Sequence, residues 1–338
     1  VDIVTSQIGD APEEPSLIRL GRSMPVYING SQARITLGVG RGTLRKLFRE
    51  RAYDLIHVHA PLTPTLPIFA VEAAEVPVVG TFHTNFGRSL AYTLLHPVFA
   101  HAARRLDAAI AVSPTAAAAM DRYFPLDWRI VPNGVDLRFF HPGVPAPVSM
   151  RDDTPHILFL GRLDPRNGLS ELIDAFGHVS ERMPDVRLIV VGDGPLRGHY
   201  QRLAAGNPAI HFEGAVKEGR PAYYANATVY ACPTTKASFG ITLLEAMACG
   251  APIVCSDIPG FTDVVRDGHD CLMVPASDAH RLADGLLRVL RDRALRLRLT
   301  EAALAEVQRY DWPRVTDAIV AVYQEALGGA RAPTRVGR

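Results

Sequence analysis

Apolar, β-rich runs that stop at polar or glycine positions alternate with helical patterns twice along this chain. That repeated alternation limits the fold more than any other feature. In the first half the runs are Val1–Thr5, Leu55–His59, Val76–Phe82, Ala108–Ser113 and Arg129–Pro132, with helical patterns at Thr43–Arg51, Leu90–Arg105 and Thr115–Tyr123. A proline-rich stretch, His141–Pro155, reads as an interdomain linker. The second half restarts at His156–Leu160 and continues through Val186–Val191, Ile210–Glu213, Val229–Cys232, Ile253–Ser256 and Cys271–Val274. Strands covered by helices on both faces form parallel sheets. The expected class is therefore α/β, two facing Rossmann-like domains with a ligand cleft at the carboxyl ends of their strands.

The chain has 338 residues, enough for two domains with cores of their own. A formal net charge of +1 gives no reason to expect nucleic acid as a partner. The four cysteines show neither CxxC spacing nor the pattern of a small secreted domain, which suits reduced thiols in a cytoplasmic protein. No uninterrupted apolar run reaches membrane-spanning length, because Glu72, Glu75 and several prolines break the longest apolar zone. Any membrane contact is expected to be peripheral.

The segment from Ser238 through Phe239, Gly240, Ile241 and Thr242 to Glu245 reads as a loop entering a short helix that stops at Gly250. Gly240 admits close backbone approach, the first amides of the helix face an anion, and Glu245 lies about one turn inside, placed to accept from a hydroxyl. Such a set suits a nucleotide sugar; an ordinary amphipathic helix with an exposed glutamate explains the same pattern. Gly161-Arg162-Leu163-Asp164-Pro165-Arg166-Asn167-Gly168 ends one strand and opens a helix, where an arginine fork suits phosphate oxygens. Gly192-Asp193-Gly194 closes another strand as a ligand-side loop or a plain turn. Gly38-Val39-Gly40-Arg41-Gly42 lacks the dinucleotide spacing and reads as a turn. His57 and His59 share one face of a strand, as any i, i+2 pair does; with no third ligand at a useful spacing for zinc, both read as structural.

Taken with Val191–Gly194, Ser238–Glu245 and Tyr310-Asp311-Trp312, the Gly161–Gly168 motif resembles the family 4 retaining glycosyltransferases, which have the GT-B fold. The first half is most similar to the bacterial phosphatidylinositol mannosyltransferases, through Asn29-Gly30-Ser31-Gln32-Ala33-Arg34, His57-Val58-His59-Ala60-Pro61, Thr81-Phe82-His83-Thr84 and Pro132-Asn133-Gly134-Val135-Asp136. The resemblance implies a metal-independent hexosyltransferase without a cofactor, using GDP-mannose in preference to a UDP-sugar. It places Arg162 and the amides of Phe239–Thr242 at the diphosphate, Glu245 at the ribose, and Val216 and Lys217 beside the base. Gly161, Arg166, Asn167, Gly192, Gly194 and Ser238 complete the donor site, His83 stands near the reacting sugar, and Asn29, Ser31 and Arg34 handle an inositol-type head group. Further expectations are a first domain over 1–145, a donor domain over 146–309, a last helix over 310–327 that crosses back, and an unordered tail over 328–338.

Three departures from the family pattern stand out. Ala237 occupies the position of a usual glutamate, and Asn167 that of a usual lysine, with Arg166 beside it to supply the charge. The chain also opens in what the resemblance makes the second strand. The central first strand, its glycine-rich loop and the first helix are absent, as in a truncated chain lacking roughly 35–45 residues, and unpaired sheet edges are expected. Ala237 keeps open a nucleotide-sugar-binding protein without turnover; a UDP-sugar epimerase fits the fold but fits the Gly161–Gly168 and Ser238–Glu245 motifs less well. Basic and apolar residues in Thr43–Arg51 and Leu90–Arg105 suit an anionic lipid surface on the inner face of the plasma membrane, or simply the solvated faces of Rossmann helices.

Overall fold

The computed structural model describes residues 1–7, 14–28 and 31–329, and divides into two compact units. Unit 1 comprises Val1–Val131 and Asp317–Arg338, and unit 2 comprises Pro132–Thr316. The described elements of unit 1 begin with β1 (Ile3–Gln7), β2 (Leu17–Ile28), β3 (Ser31–Leu37), α1 (Arg41–Arg51), β4 (Ile56–His59) and α2 (Leu66–Ala73). They continue with β5 (Val78–Phe82), α3 (Leu90–Leu94), α4 (His96–Ala103), β6 (Ala108–Ala111), α5 (Pro114–Asp121) and β7 (Trp128–Ile130).

The described strands of unit 1 form two sheets. One has the order β1-β2-β3, parallel then antiparallel; the other is a parallel β4-β5-β6-β7. Val39, Leu44, Leu66 and Ala73 form a small core against Val4 and Leu20, so α1 and α2 cover the first sheet. The β2–β3 hairpin has no counterpart among the expected elements. The expected helix Leu90–Arg105 is two helices, because Pro97 lies in the first turn of α4 and cannot donate into a continuing ladder.

Unit 2 contains β8 (His156–Leu160), α6 (Leu169–Arg182), β9 (Arg187–Val191), α7 (Arg197–Leu203), β10 (Ile210–Gly214), α8 (Arg220–Ala225) and β11 (Val229–Cys232). After these come α9 (Ile241–Ala248), β12 (Ile253–Asp257), β13 (Leu272–Pro275), α10 (Ala279–Arg291) and α11 (Arg293–Glu306). The last helix, α12 (Trp312–Gly328), starts in unit 2, and its portion from Asp317 onward belongs to unit 1. The six strands are parallel in the order β10-β9-β8-β11-β12-β13, the doubly wound arrangement. Ile157, Phe176, Leu188, Val229, Leu286 and Val289 belong to one buried core that holds α6 and α10 on the sheet.

The expected domain boundary at 145 and the observed one at 131 differ because the segment between them packs on unit 2. Phe140 sits 6.4 Å from the Tyr224 ring, and Asn226 Nδ2 donates to the Val144 carbonyl at 2.9 Å. Val135 pairs with Asp311 in a parallel bridge, which ties the two ends of unit 2 together.

Candidate functional site

In unit 2 the strand order reverses between β8 and β11, and such a reversal opens a crevice at the strand ends. The loops leaving those two strands are fastened to each other. Thr235 donates to the Arg166 carbonyl through both its amide (2.8 Å) and its hydroxyl (3.2 Å). Gly168, at φ +73°, brings its α-carbon so close that a Cβ would stand 2.0 Å from the Pro233 carbonyl oxygen. Gly192, at φ +143°, does the same against Gly161, where a Cβ would lie 1.9 Å from the carbonyl oxygen. Leu163 N donates to the Asp193 carbonyl at 3.0 Å, and the Gly194 amide donates to Asp193 Oδ1 at 2.7 Å. The Gly192–Gly194 loop therefore supports the Gly161–Leu163 strand end from behind.

On this platform Arg162 and Arg166 flank Asp164. Their Nε atoms stand 3.8 and 3.6 Å from its carboxylate, the arginine side chains are 38% and 46% exposed, and Asp164 is buried. Asn167 Nδ2 donates to the Arg162 carbonyl at 2.7 Å, so its amide braces the loop and Arg166 supplies the second cation. After β11, α9 begins at Gly240 with no side-chain cap and no acidic residue in its first turn, which leaves its N-terminal dipole suited to an anion. Phe239 is buried edge-on to Tyr310 at 6.1 Å and anchors the loop, Ile241 is exposed, and Thr242 Oγ1 turns inward to 4.0 Å from Cys232 Sγ. Ser238 is partly exposed.

Glu245 is only 3% exposed and is held by protein groups. Arg220 Nη1 donates to Oε1 at 2.7 Å, and the Tyr224 hydroxyl donates to Oε2 at 3.0 Å. Burial raises its carboxyl pKa above the ordinary value, while Arg220 and Tyr224 pull it down. The exposed-glutamate alternative is thereby corrected. Arg220 also donates from Nε to the Lys217 carbonyl at 3.2 Å and lies 5.3 Å over the Phe140 ring. Lys217 is exposed and Val216 partly so. Sequence reasoning missed Arg220 and Tyr224; their i, i+4 spacing on α8 puts them on one face, but nothing in the sequence says that Glu245 lies opposite.

In unit 1 three histidines meet at the carboxyl ends of β4 and β5. His59 pairs with Thr81 in the parallel register, and His83 follows β5 directly. His57 and His59 stack at 4.6 Å between ring centroids, and His59 and His83 at 5.1 Å. His57 Nδ1 meets the Tyr323 hydroxyl of α12 at 2.7 Å, and its Nε2 meets Thr81 Oγ1 at 2.6 Å. His59 Nδ1 meets His83 Nε2 at 2.8 Å. Burial, and after it the neighbouring imidazoles, lowers the His57 pKa to about 4; burial lowers that of His59. Among the described residues no group of three His, Cys, Asp or Glu side chains is arranged to hold a metal.

Of the residues assigned to an acceptor, Arg34 donates to Ser23 Oγ at 2.7 Å across the β2–β3 hairpin. Asn29 and the Ser31 side chain lie outside the described residues, as does the expected tail from 330 onward. All four cysteines are buried and free, and no described helix is long and apolar enough to cross a membrane. On α1, Arg41 pairs with Glu72 at 3.1 Å, and Arg45 and Arg49 pair with Glu75 at 3.6 and 2.7 Å. Arg51 pairs with Asp2 at 3.7 Å and Leu44 is buried, so all four arginines of this helix are paired, as on the solvated face of a Rossmann helix.

Residues 1–139 match the family model described as Glycosyltransferase Family 4, and residues 154–292 match that described as Glycosyl transferases group 1. The chain is 38% identical over 331 residues to the phosphatidyl-myo-inositol mannosyltransferase of Mycobacterium tuberculosis (strain CDC 1551 / Oshkosh), covering 94% of this chain and 85% of that protein. It is 31% identical over 313 residues to the D-inositol 3-phosphate glycosyltransferase of Acidothermus cellulolyticus, covering 82% and 68%. Sucrose-phosphate synthase from Thermosynechococcus elongatus superposes with a TM-score of 0.78 at 24% identity, covering 97% of this chain and 89% of that one. That likeness shows the fold, GT-B with two Rossmann-like domains.

Proposed function

The chain belongs to glycosyltransferase family 4, and from that membership we propose that it transfers mannose from GDP-mannose to an inositol phospholipid with retention at the anomeric carbon. The observation that carries this reading is the 38% identity to a phosphatidyl-myo-inositol mannosyltransferase over 94% of the chain. The switch-point site agrees with it chemically. Arg162, Arg166 and the first turn of α9 offer two cations and a helix N-terminus to a diphosphate, the group on which negative charge grows as the sugar departs. Glu245 keeps acceptor lone pairs for ribose hydroxyls beside the bonds from Arg220 and Tyr224. Val216 and Lys217 flank the base, and His83 positions the reacting sugar or the departing phosphate.

In this reading the bond from the anomeric carbon to the phosphate oxygen breaks while that carbon bonds the acceptor oxygen on the same face. The leaving phosphate takes the acceptor's proton, so no carboxylate pair of the glycosidase type is needed. The lipid acceptor calls for peripheral membrane contact. Leu90 and Leu94 on α3, Leu95 between the helices and Val98 on α4 are exposed, and residues 76–106 contain no aspartate or glutamate.

Calorimetric titration with GDP and UDP, followed by transfer of labelled mannose, tests the reading. The expected result is saturable binding of GDP, lost in Arg162→Ala, and label passing to phosphatidylinositol in vesicles but not to free inositol 3-phosphate. Binding of UDP alone, or label passing only to the soluble inositol phosphate, would overturn the donor or the acceptor assignment respectively. A protein without turnover would bind GDP and move no label. Replacing Leu94 and Leu95 by serine is expected to weaken co-sedimentation with anionic vesicles; unchanged binding refutes the proposed contact surface.

A further inference from the structure

We infer that His59 is a positioning residue: its Nδ1 fixes the orientation and tautomer of His83, and the stack on His57 relays this constraint from Tyr323 on the last helix. The inference rests on the reading of His83 as the imidazole near the reacting sugar. Its physical grounds lie within unit 1 alone. His57 is locked on both ring nitrogens, by Tyr323 at 2.7 Å and Thr81 at 2.6 Å, so its plane cannot turn. His59 lies on that plane at 4.6 Å with a 20° tilt and continues it to His83 at 5.1 Å with an 18° tilt. Three nearly parallel rings thus begin at a fixed one.

The 2.8 Å contact between His59 Nδ1 and His83 Nε2 takes one proton between two nitrogens. Whichever ring donates there, the protonation of Nδ1 of His59 and Nε2 of His83 is complementary, and a neutral His83 is confined to the matching tautomer. Burial, which lowers the pKa of His57 and of His59, keeps both neutral near pH 7. Protonation of both His59 and His83 would leave that contact with two protons and no acceptor. The groups at and beside this contact include His57 and His59 from β4, His83 beyond β5 and Tyr323 from α12.

Two substitutions separate hydrogen bonding from ring packing. His59→Phe keeps an aromatic ring in the stack and removes Nδ1. His59→Asn loses most of the ring and keeps a polar atom near the place of Nδ1. Imidazole nitrogen NMR on the full chain reads the His83 tautomer whether or not the protein turns over. The expected result is a His83 Nε2 signal that moves in His59→Phe and stays close to wild type in His59→Asn. Mannose transfer should follow: kcat at least tenfold lower in His59→Phe, recovered in His59→Asn, with KM for GDP-mannose and GDP affinity unchanged in both.

An unmoved His83 signal in a folded His59→Phe protein would overturn the inference, as would the reverse order of the two variants. If wild-type protein transfers nothing while the NMR pattern holds, the reading of His83 fails and the positioning by His59 stands. Tyr323→Phe supplies the second arm. It should shift the His57 signals first and the His83 signal by a smaller amount; no effect beyond His57 would overturn the relay.

Discussion

At Glu245 burial raises the carboxyl pKa above its ordinary 4.5 while Arg220 and Tyr224 oppose the rise. A raised folded-state value means that the native protein holds this proton more firmly than the unfolded chain. The stabilisation is complete below 4.5 and is lost as pH climbs through the folded value. Unfolding free energy measured against pH should therefore show a falling contribution above 4.5 that Glu245→Gln removes. His57 runs the other way. Its pKa falls from 6.5 to about 4, so its contribution is present above 6.5 and disappears as pH drops through 4. That loss amounts to at most about 3 kcal/mol and should be absent in His57→Gln. Arg220→Met leaves Glu245 with Tyr224 as its remaining partner in these contacts. A loss of about 1–3 kcal/mol is expected, toward the lower end because Arg220 is 34% exposed, with GDP affinity reduced alongside. Unchanged melting temperature and affinity would show that the pair is incidental. Much of this chemistry was legible in advance: Arg162, the start of α9 and Glu245 all lie in segments whose glycine and charge spacing announces them. Arg220 and the His59–His83 contact were not, because each depends on which elements become neighbours, and local spacing carries no record of that.

Among the elements, the doubly wound half was the most readable, since strands buried on both faces leave continuous apolar runs such as Ile157–Leu160 and Leu188–Val191. The β2–β3 hairpin, in which Ile28 pairs with Ser31, lies outside the expected elements although Asn29-Gly30 is a strong two-residue turn signal, because the same residues also match a head-group motif. Glycines supply a sharp test of the loop platform. Gly168→Ala puts a Cβ 2.0 Å from a carbonyl oxygen at a left-handed φ; it should cost at least about 2 kcal/mol and weaken GDP binding tenfold or more. Gly177→Ala, inside α6 where a Cβ meets nothing, should instead stabilise by about 0.5–1 kcal/mol and leave GDP binding alone. Equal effects at the two positions, read by chemical unfolding and calorimetry, would refute this account of the loops.

For the molecule as a whole, two units with separate cores are expected to unfold in two calorimetric steps. GDP at a hundred times its dissociation constant should stabilise the step belonging to unit 2 by about 2.7 kcal/mol and leave the other in place. A uniform shift of both would contradict a donor site built within unit 2. The boundary near 131 was hidden in the sequence because the proline-rich stretch that marks a linker, with Phe140 just before it, packs on unit 2 through Phe140 and Val144. The chain enters unit 2 after Val131 and returns to unit 1 only at Asp317, bringing Tyr323 to His57 and Glu325 to Arg129, the latter at 2.9 Å. A ribosome making this protein therefore finishes every strand of unit 2 before it delivers the piece that locks His57. Until then the nascent first unit lacks the tyrosine that holds the His57 ring in place. Unit 2 can mature as one uninterrupted stretch; unit 1 is completed only after it.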